Sequence, residues 1–225
     1  MADEVVSGEG GGVREEVTGE QSTMIHIDPH RSALLIIDME KAFVNPGAAL
    51  CIRGAMETVP RIAAVIEEAR VNGIPVIWIK RIYKADGSDM ELPRRQELFS
   101  RGLYGVLAPE STGLNSIEEP DGLERKQDEK VIIKPRFSAF FHTELDQYLR
   151  SKGIDTVLLA GTTTPNCIRC TCYDAISLDY RCIVLEPCCS SQTSEIQAAN
   201  IDDMERIGAE IIREESVLSS LSYAN

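Results

Sequence analysis

Three residues with complementary chemistry each stand at or just beyond the end of an apolar run of the sequence. Asp38 closes the run ALLIID, Lys134 closes VIIK, and Cys167 follows the run VLLA through the polar stretch GTTTPNC. A thiol with its ordinary pKa of about 8.5 is mostly protonated at neutral pH and needs activation before it can attack a carbonyl carbon. Lys134 would stabilise the thiolate, and Asp38 would take the thiol proton and deliver it to a leaving amine. Together the three groups suit acyl transfer.

The surrounding sequence alternates between strand-like apolar runs and segments with helical periodicity. Strands are predicted near residues 33–38, 75–80, 131–134, 156–160, 181–185 and 210–212, and helices near residues 59–66, 143–152, 166–178 and 196–207. Fully apolar strands separated by helices predict an α/β fold with a parallel sheet between two helical layers. Residues 81–130 show no clear period and are predicted to form a lid or a partner-contact region.

In such a sheet ligands bind at the carboxyl ends of the strands, so the three residues are expected on one rim. The helix predicted at 166–178 would place Cys167 in its first turn, where free N–H groups favour a thiolate and could hold an oxyanion. Each residue also has a structural explanation: Cys167 could be a core thiol, Asp38 a helix cap and Lys134 a solvated side chain.

Charge and composition exclude several classes of function. The chain has 23 lysines and arginines against 36 aspartates and glutamates, a net charge of −13, which repels nucleic acid and anionic membranes. Its apolar runs are far shorter than the roughly 20 residues of a membrane span. The acidic, glycine-rich residues 1–23 lack the apolar stretch of a secretory signal and are predicted to be a disordered arm before a domain at 24–225. We expect a cytoplasmic protein.

With these residues in place, the chain resembles the isochorismatase-like cysteine hydrolase superfamily, which includes nicotinamidases, N-carbamoylsarcosine amidases and ureidoacrylate amidohydrolases. The resemblance rests on ALLIID followed by Phe43, on IK followed by FSAFF and TEL, and on GTTTPNC leading into DA. It implies a three-layer Rossmann-like fold with a six-stranded parallel sheet in the order 3-2-1-4-5-6. Members of the superfamily are commonly dimers or tetramers, so a homodimer or homotetramer is expected.

The resemblance also implies a role for each residue of the rim. Cys167 would be the nucleophile, Asp38 the general base and Lys134 the group that lowers the thiol pKa. The amides of Thr163 and Cys167 would form an oxyanion hole beside a cis peptide bond between Thr162 and Thr163.

Two departures bear on cofactor and substrate. Nicotinamidases hold a metal through an Asp-x-His pair and further histidines after the second strand, but residues 80–90 contain no histidine, and His26, His30 and His142 are scattered. No metal and no other cofactor is therefore predicted, and nicotinamide is not expected as the substrate. The usual Asp-x-Gln-x-Asp-Phe reads DMEKAF here, which changes two polar positions.

The leading hypothesis is a metal-independent cysteine amidohydrolase that cleaves a C–N bond in a small amide or a ureido or N-carbamoyl compound through a thioester. The residues predicted to contact this substrate are Phe43, Arg81, Arg136, Phe137, Phe141 and Asn166. Arg81 and Arg136, with Arg94 and Arg95, border the predicted rim and favour a carboxylate on the substrate.

Three alternatives stay open at this point. The chain could be a catalytically silent oligomer that binds a metabolite or a partner protein. Cys170 could form a redox pair with Cys167. Finally, the cysteines at 167, 170, 172, 188 and 189 could ligate a soft metal, although core packing explains Cys172 and Cys182.

Overall fold

The computed structural model describes residues 25–108 and 115–213. The arm predicted at 1–23 lies outside these residues.

A six-stranded parallel sheet forms the centre of the molecule. Its strands are β1 (Ser32–Ile37), β2 (Val76–Lys80), β3 (Lys130–Ile133), β4 (Thr156–Thr162), β5 (Arg181–Ser190) and β6 (Glu210–Ile212). They lie in the order β3-β2-β1-β4-β5-β6, and every neighbouring pair is parallel. The predicted class and strand order are confirmed.

Two apolar clusters cover the two faces of the sheet. Alternate residues of β1 point to opposite sides, so Leu35 and Ile37 join one cluster while Leu34 and Ile36 join the other. The six helices of the described residues are α1 (Lys41–Val44), α2 (Ala55–Val71), α3 (Leu92–Ser100), α4 (Leu145–Ser151), α5 (Arg169–Ser177) and α6 (Ser194–Arg206). Helix α2 packs on the second face, and α4, α5 and α6 pack on the first. Complete burial on both faces explains the unbroken apolar runs of the central strands.

The segment between β2 and β3 contains more structure than its sequence predicts. It forms α3 and two 3₁₀ turns, Tyr104–Leu107 and Asn115–Ile117. Of the nine residues of α3 only Leu98 is buried, so the helix has too few apolar residues to stand out in the sequence. Leu98 joins a third apolar cluster with Phe43 and Ala42 of α1, which fixes this segment beside the carboxyl end of the sheet.

The predicted helix at 166–178 also differs from the observed one. Its first turn is a wide π-helical turn, Thr164–Ile168, in which the Ile168 N–H donates to the Thr163 carbonyl at 3.3 Å, and α5 begins only at Arg169. Cys167 therefore lies in this wide turn and not in the first turn of an α-helix. Single π turns of this kind are frequent at functional sites.

Candidate active site

The first residue after each of the strands β1 to β4 lies on a single rim. These residues are Asp38, Arg81, Lys134 and Thr163, and Cys167 follows four residues after the last of them. The ladder of backbone hydrogen bonds continues into the rim, because the Asp38 N–H donates to the Ile79 carbonyl at 2.9 Å and the Lys134 N–H to the Lys80 carbonyl at 2.8 Å. Rigid strands thus position these side chains.

Gly161 allows β4 to approach β1 immediately before the rim. Its φ is +125°, and a Cβ atom built on it would lie 2.1 Å from the Ile37 carbonyl oxygen. Only glycine fits such a position, because any side chain would collide with the backbone of β1. The peptide bond between Thr162 and Thr163, at the position that the resemblance implies, is cis.

Asp38 and Lys134 form a buried ion pair. The Lys134 Nζ lies 2.8 Å from Asp38 Oδ2, with 0% and 2% of the two side chains exposed. Lys134 also donates to the Arg136 carbonyl at 3.1 Å. The other carboxylate oxygen, Asp38 Oδ1, is buried and accepts no hydrogen bond from the residues that the structure describes. That oxygen is available to a proton donor.

The Cys167 thiol lies beside these groups and is 5% exposed. Burial and the negative charge of Asp38 raise its pKa to about 11, although Lys134 and Arg81 act to lower it. Lys134 acts to lower the thiol pKa, but burial and Asp38 outweigh it, so the net shift is upward. The resting group is a neutral thiol with a carboxylate as its neighbour.

Arg81 contacts the thiol, and the side chains of Tyr83 and Glu91 hold its guanidinium in place. Its Nη1 lies 3.6 Å from Cys167 Sγ, while Nε and Nη2 donate to the Tyr83 hydroxyl at 2.8 and 2.6 Å. Nη2 also pairs with the Glu91 carboxylate, to which Tyr83 donates at 2.9 Å. Burial acts to raise the pKa of Glu91, but Arg81 and Tyr83 lower it by more, so this carboxyl stays ionised.

A second buried carboxyl, that of Glu40, lies near Asp38. It accepts the Arg81 backbone N–H at 2.6 Å, while its Oε2 has no hydrogen-bond partner within the described part of the chain. Burial and the charge of Asp38 raise the pKa of Glu40 well above its ordinary value. A protonated Glu40 has nearly the shape of the glutamine found at this position in the usual motif.

A cleft of about 290 Å³ opens over the thiol. Four of the predicted substrate contacts line it, namely Phe43, Arg81, Phe137 and Asn166, together with Asp38, Thr163 and Cys167. Sequence reasoning missed Arg101, Gln192 and the segment Leu50–Ile52, which also line it. Arg101 lies one residue beyond the unpredicted helix α3, so nothing in the sequence placed it near the thiol.

The other two predicted contacts lie elsewhere. Arg136 and Phe141 line a second, more open cleft of about 500 Å³, and Arg136 donates there to the Asp89 carbonyl. Cys170 also faces this second cleft and not the one above Cys167. Phe137 is shared by both clefts.

The donor set after β2 does not suit a metal ion. Arg81 and Tyr83 fill this segment, and a guanidinium cation opposes the binding of another cation. Within residues 25–108 and 115–213, no three His, Cys, Asp or Glu side chains cluster in a way that could hold a metal. All seven cysteines are free thiols.

A buried thiol, a carboxylate and an ammonium at the carboxyl ends of a parallel α/β sheet define the class of cysteine hydrolase-like proteins. Residues 32–216 match the model of the isochorismatase domain family. The chain therefore belongs to the isochorismatase family.

Three similar proteins illustrate the range of this family. The chain is 41% identical over 179 residues to an Arabidopsis thaliana protein named as a probable inactive nicotinamidase, covering 79% of this chain and 89% of that protein. An isochorismatase family protein from Desulfovibrio vulgaris is 42% identical, with a TM-score of 0.75 and coverage of 85% of this chain and 96% of the other. N-carbamoylsarcosine amidase from Thermoplasma acidophilum is 28% identical, with a TM-score of 0.67 and coverage of 82% and 97%.

None of the helices within the described ranges is both long enough and apolar enough to cross a membrane.

Proposed function

We propose that this protein is a metal-independent cysteine amidohydrolase that cleaves the C–N bond of a small amide, ureido or N-carbamoyl compound. The observation that carries the proposal is that Cys167 and Asp38 line the same cleft, with the thiol in contact with Arg81 and one buried oxygen of Asp38 without a partner among the described residues. The similarity to N-carbamoylsarcosine amidase supports the proposal that a C–N bond is cleaved.

In the first half of the proposed reaction, Asp38 Oδ1 takes the proton from Cys167 Sγ as sulfur attacks the carbonyl carbon and a C–S bond forms. The amides of Thr163 and Cys167 hold the oxyanion of the tetrahedral intermediate. The protonated Asp38 then donates to the leaving nitrogen, the C–N bond breaks, and ammonia or an amine departs from a thioester.

In the second half, water attacks the thioester carbonyl and gives its proton to Asp38. The C–S bond breaks, the acid or carbamate product leaves, and the thiol recovers its proton from Asp38. Lys134 stays bonded to the other carboxylate oxygen throughout, so it orients Asp38 and neutralises part of its charge. Arg81 stabilises the thiolate as it forms.

A neutral resting thiol is compatible with this sequence of steps. Because the thiol pKa is raised to about 11, little thiolate exists at rest, and a base that removes the proton during attack is of most use. The carboxylate that raises the thiol pKa in the free enzyme is the same group that removes the proton during attack.

A second candidate is a catalytically silent member of the fold that binds a small metabolite. Two observations favour it: the name of the Arabidopsis thaliana relative, and the carboxyl of Glu40 in place of the usual amide beside Asp38. In this case the cleft would retain a ligand without breaking a bond in it.

The deciding experiment is ammonia release from a panel of small primary amides and ureido acids by the wild type, by Cys167→Ala and by Cys170→Ala. Cys170 is a matched control because it is a nearby thiol that faces the other cleft. We expect Cys167→Ala to lose about a thousandfold or more of the activity and Cys170→Ala to keep it. Equal activity in Cys167→Ala would refute the proposal, and ligand binding without turnover across the panel would favour the second candidate.

A further inference from the structure

The cleft above Cys167 carries a positive charge in a strongly acidic protein. The chain has a net charge of −13, yet the charged side chains that line the cleft are Asp38, Arg81, Arg94 and Arg101. Asp38 forms an ion pair with Lys134, so these two residues together add no net charge to the cleft. Three guanidinium groups around a cavity of about 290 Å³ therefore face the space that a substrate would fill.

Two of these three arginines have a carboxylate partner. Arg81 pairs with Glu91, and Arg101 pairs with Glu97 at 2.9 Å. Arg94 forms no ion pair or hydrogen bond with any described residue, and its Nε–H is shielded from solvent without an acceptor. A guanidinium in this condition lacks the anion that normally accompanies a partly buried arginine.

The ring of Phe137 brings Arg94 close to a second cation. The guanidinium carbon of Arg81 lies 4.6 Å from the ring centroid, and that of Arg94 lies 5.7 Å from it. Two like charges that share one ring repel each other, and among the described residues a carboxylate offsets this repulsion at Arg81 but not at Arg94. The missing counter-charge belongs next to Arg94, inside the cleft.

We propose that Arg94 binds a carboxylate of the substrate, so that the natural substrate is an amide or ureido acid and not a neutral amide. This inference rests on the proposed function, since it places the carboxylate of the compound whose carbonyl carbon Cys167 attacks. A carboxylate on Arg94 forms charge-assisted hydrogen bonds and supplies the counter-charge that the pair of cations lacks.

The structure holds Arg94 in place through its helix. Glu91, directly before α3, ties the start of the helix to Arg81 and Tyr83, and Leu98 anchors its last turn in the third apolar cluster. The backbone that carries Arg94 is therefore fixed, and the contact with Phe137 restricts the guanidinium, which favours selection by charge and by length.

The test is calorimetric binding to the Cys167→Ala protein, which cannot form a thioester. The probes are ureidoacetate, 3-ureidopropanoate and 4-ureidobutanoate, with the neutral methyl ester of each. We expect at least one acid to bind about 10- to 100-fold more tightly than its ester, as for hydrogen bonds between charged groups. Arg94→Gln in the same background should reduce the affinity for the acid to that for the ester, and Arg94→Lys should recover part of it.

Arg95→Gln is the matched control. It removes the same charge from the next residue of α3, whose guanidinium lies over Phe99, 5.4 Å from the ring centroid, and does not line the cleft. We expect the affinity of Arg95→Gln for the acid to stay within about twofold of that of the Cys167→Ala protein, as is usual when a charged surface side chain is changed. Melting curves of both variants check that the fold is intact.

Several results would overturn the inference: equal binding of acid and ester, an unchanged affinity in Arg94→Gln, no binding of any probe at millimolar concentration, or tighter binding of inorganic phosphate than of every ureido acid. These outcomes are distinct from failure of the proposed function. Arg94-dependent binding without ammonia release by the wild type would overturn the hydrolase alone. Turnover of neutral amides that needs Cys167 but not Arg94 would overturn the carboxylate site alone.

Discussion

Removing the charge of Arg81 should make the Cys167 thiol even harder to ionise. The change is Arg81→Met, which keeps much of the length of the side chain and deletes the guanidinium that lies 3.6 Å from Sγ. Because that cation stabilises the thiolate, its loss raises the thiol pKa further above about 11.

The size of the shift follows from the geometry. At 3.6 Å and an effective dielectric constant of about 20, two unit charges interact by about 4.6 kcal/mol, or about 3 pKa units. Glu91 pairs with the same guanidinium and cancels part of its field, so we expect a shift of about 1 to 2 units. Each unit leaves tenfold less thiolate but raises its nucleophilicity about threefold, so alkylation near pH 8 should slow by about 3- to 10-fold.

The assay is alkylation by iodoacetamide as a function of pH, with the labelled cysteines mapped by mass spectrometry. Arg81→Lys, which keeps a cation at this position, controls for a change in access to the thiol. Arg81→Met combined with Glu91→Gln avoids leaving an unpaired buried carboxylate. An alkylation rate near pH 8 that stays at the wild-type value in both variants would refute the electrostatic role of Arg81.

Three further predictions concern the rim. Asp38→Asn should slow ammonia release by about 10²- to 10⁴-fold, because the general base is lost. The same change should speed up alkylation of Cys167, because the charge that raises the thiol pKa is gone. Slower alkylation would contradict the effect of Asp38 on the thiol pKa. In urea denaturation, Gly161→Ala should lower the free energy of unfolding by about 3 kcal/mol or more, because the new Cβ collides with the backbone of β1. The control Gly153→Ala, with open space around it, should lower it by about 1 kcal/mol. Equal losses in the two variants would count against the close approach of β4 to β1. Glu40 has a raised pKa in the folded state, so the wild type should lose stability as the pH rises above the ordinary carboxyl pKa. Glu40→Gln should not show this loss. Stability curves of the two proteins that run parallel from pH 4 to pH 8 would exclude a raised pKa of Glu40.

The sequence predicted the sheet and the rim well because both depend on strong local signals. The runs that end at Asp38 and Lys134 are apolar throughout, and parallel topology brings the ends of such strands together whatever the loops do. The strand order needed the resemblance as well, since apolar runs alone do not fix which strands are neighbours.

The walls of the cleft could not be predicted in the same way. Arg101 depends on α3, a helix with one buried side chain, and Arg136 and Phe137 are adjacent in sequence but only Phe137 reaches the cleft above the thiol. The pKa of Cys167 depends on its burial, which is a tertiary property. A charge that the sequence places nearby can lower a thiol pKa only as far as desolvation allows.

The carboxylate of Glu91 couples two parts of the site, the thiol and the helix α3. It holds the guanidinium that touches the thiol, and it also fastens the start of the helix that bears Arg94. A change of substrate range by exchange of the β2–β3 segment therefore alters nucleophile reactivity unless the incoming segment brings its own acid to Arg81. Specificity and reactivity are therefore expected to change together in engineered segment swaps, which should be designed around that single carboxylate.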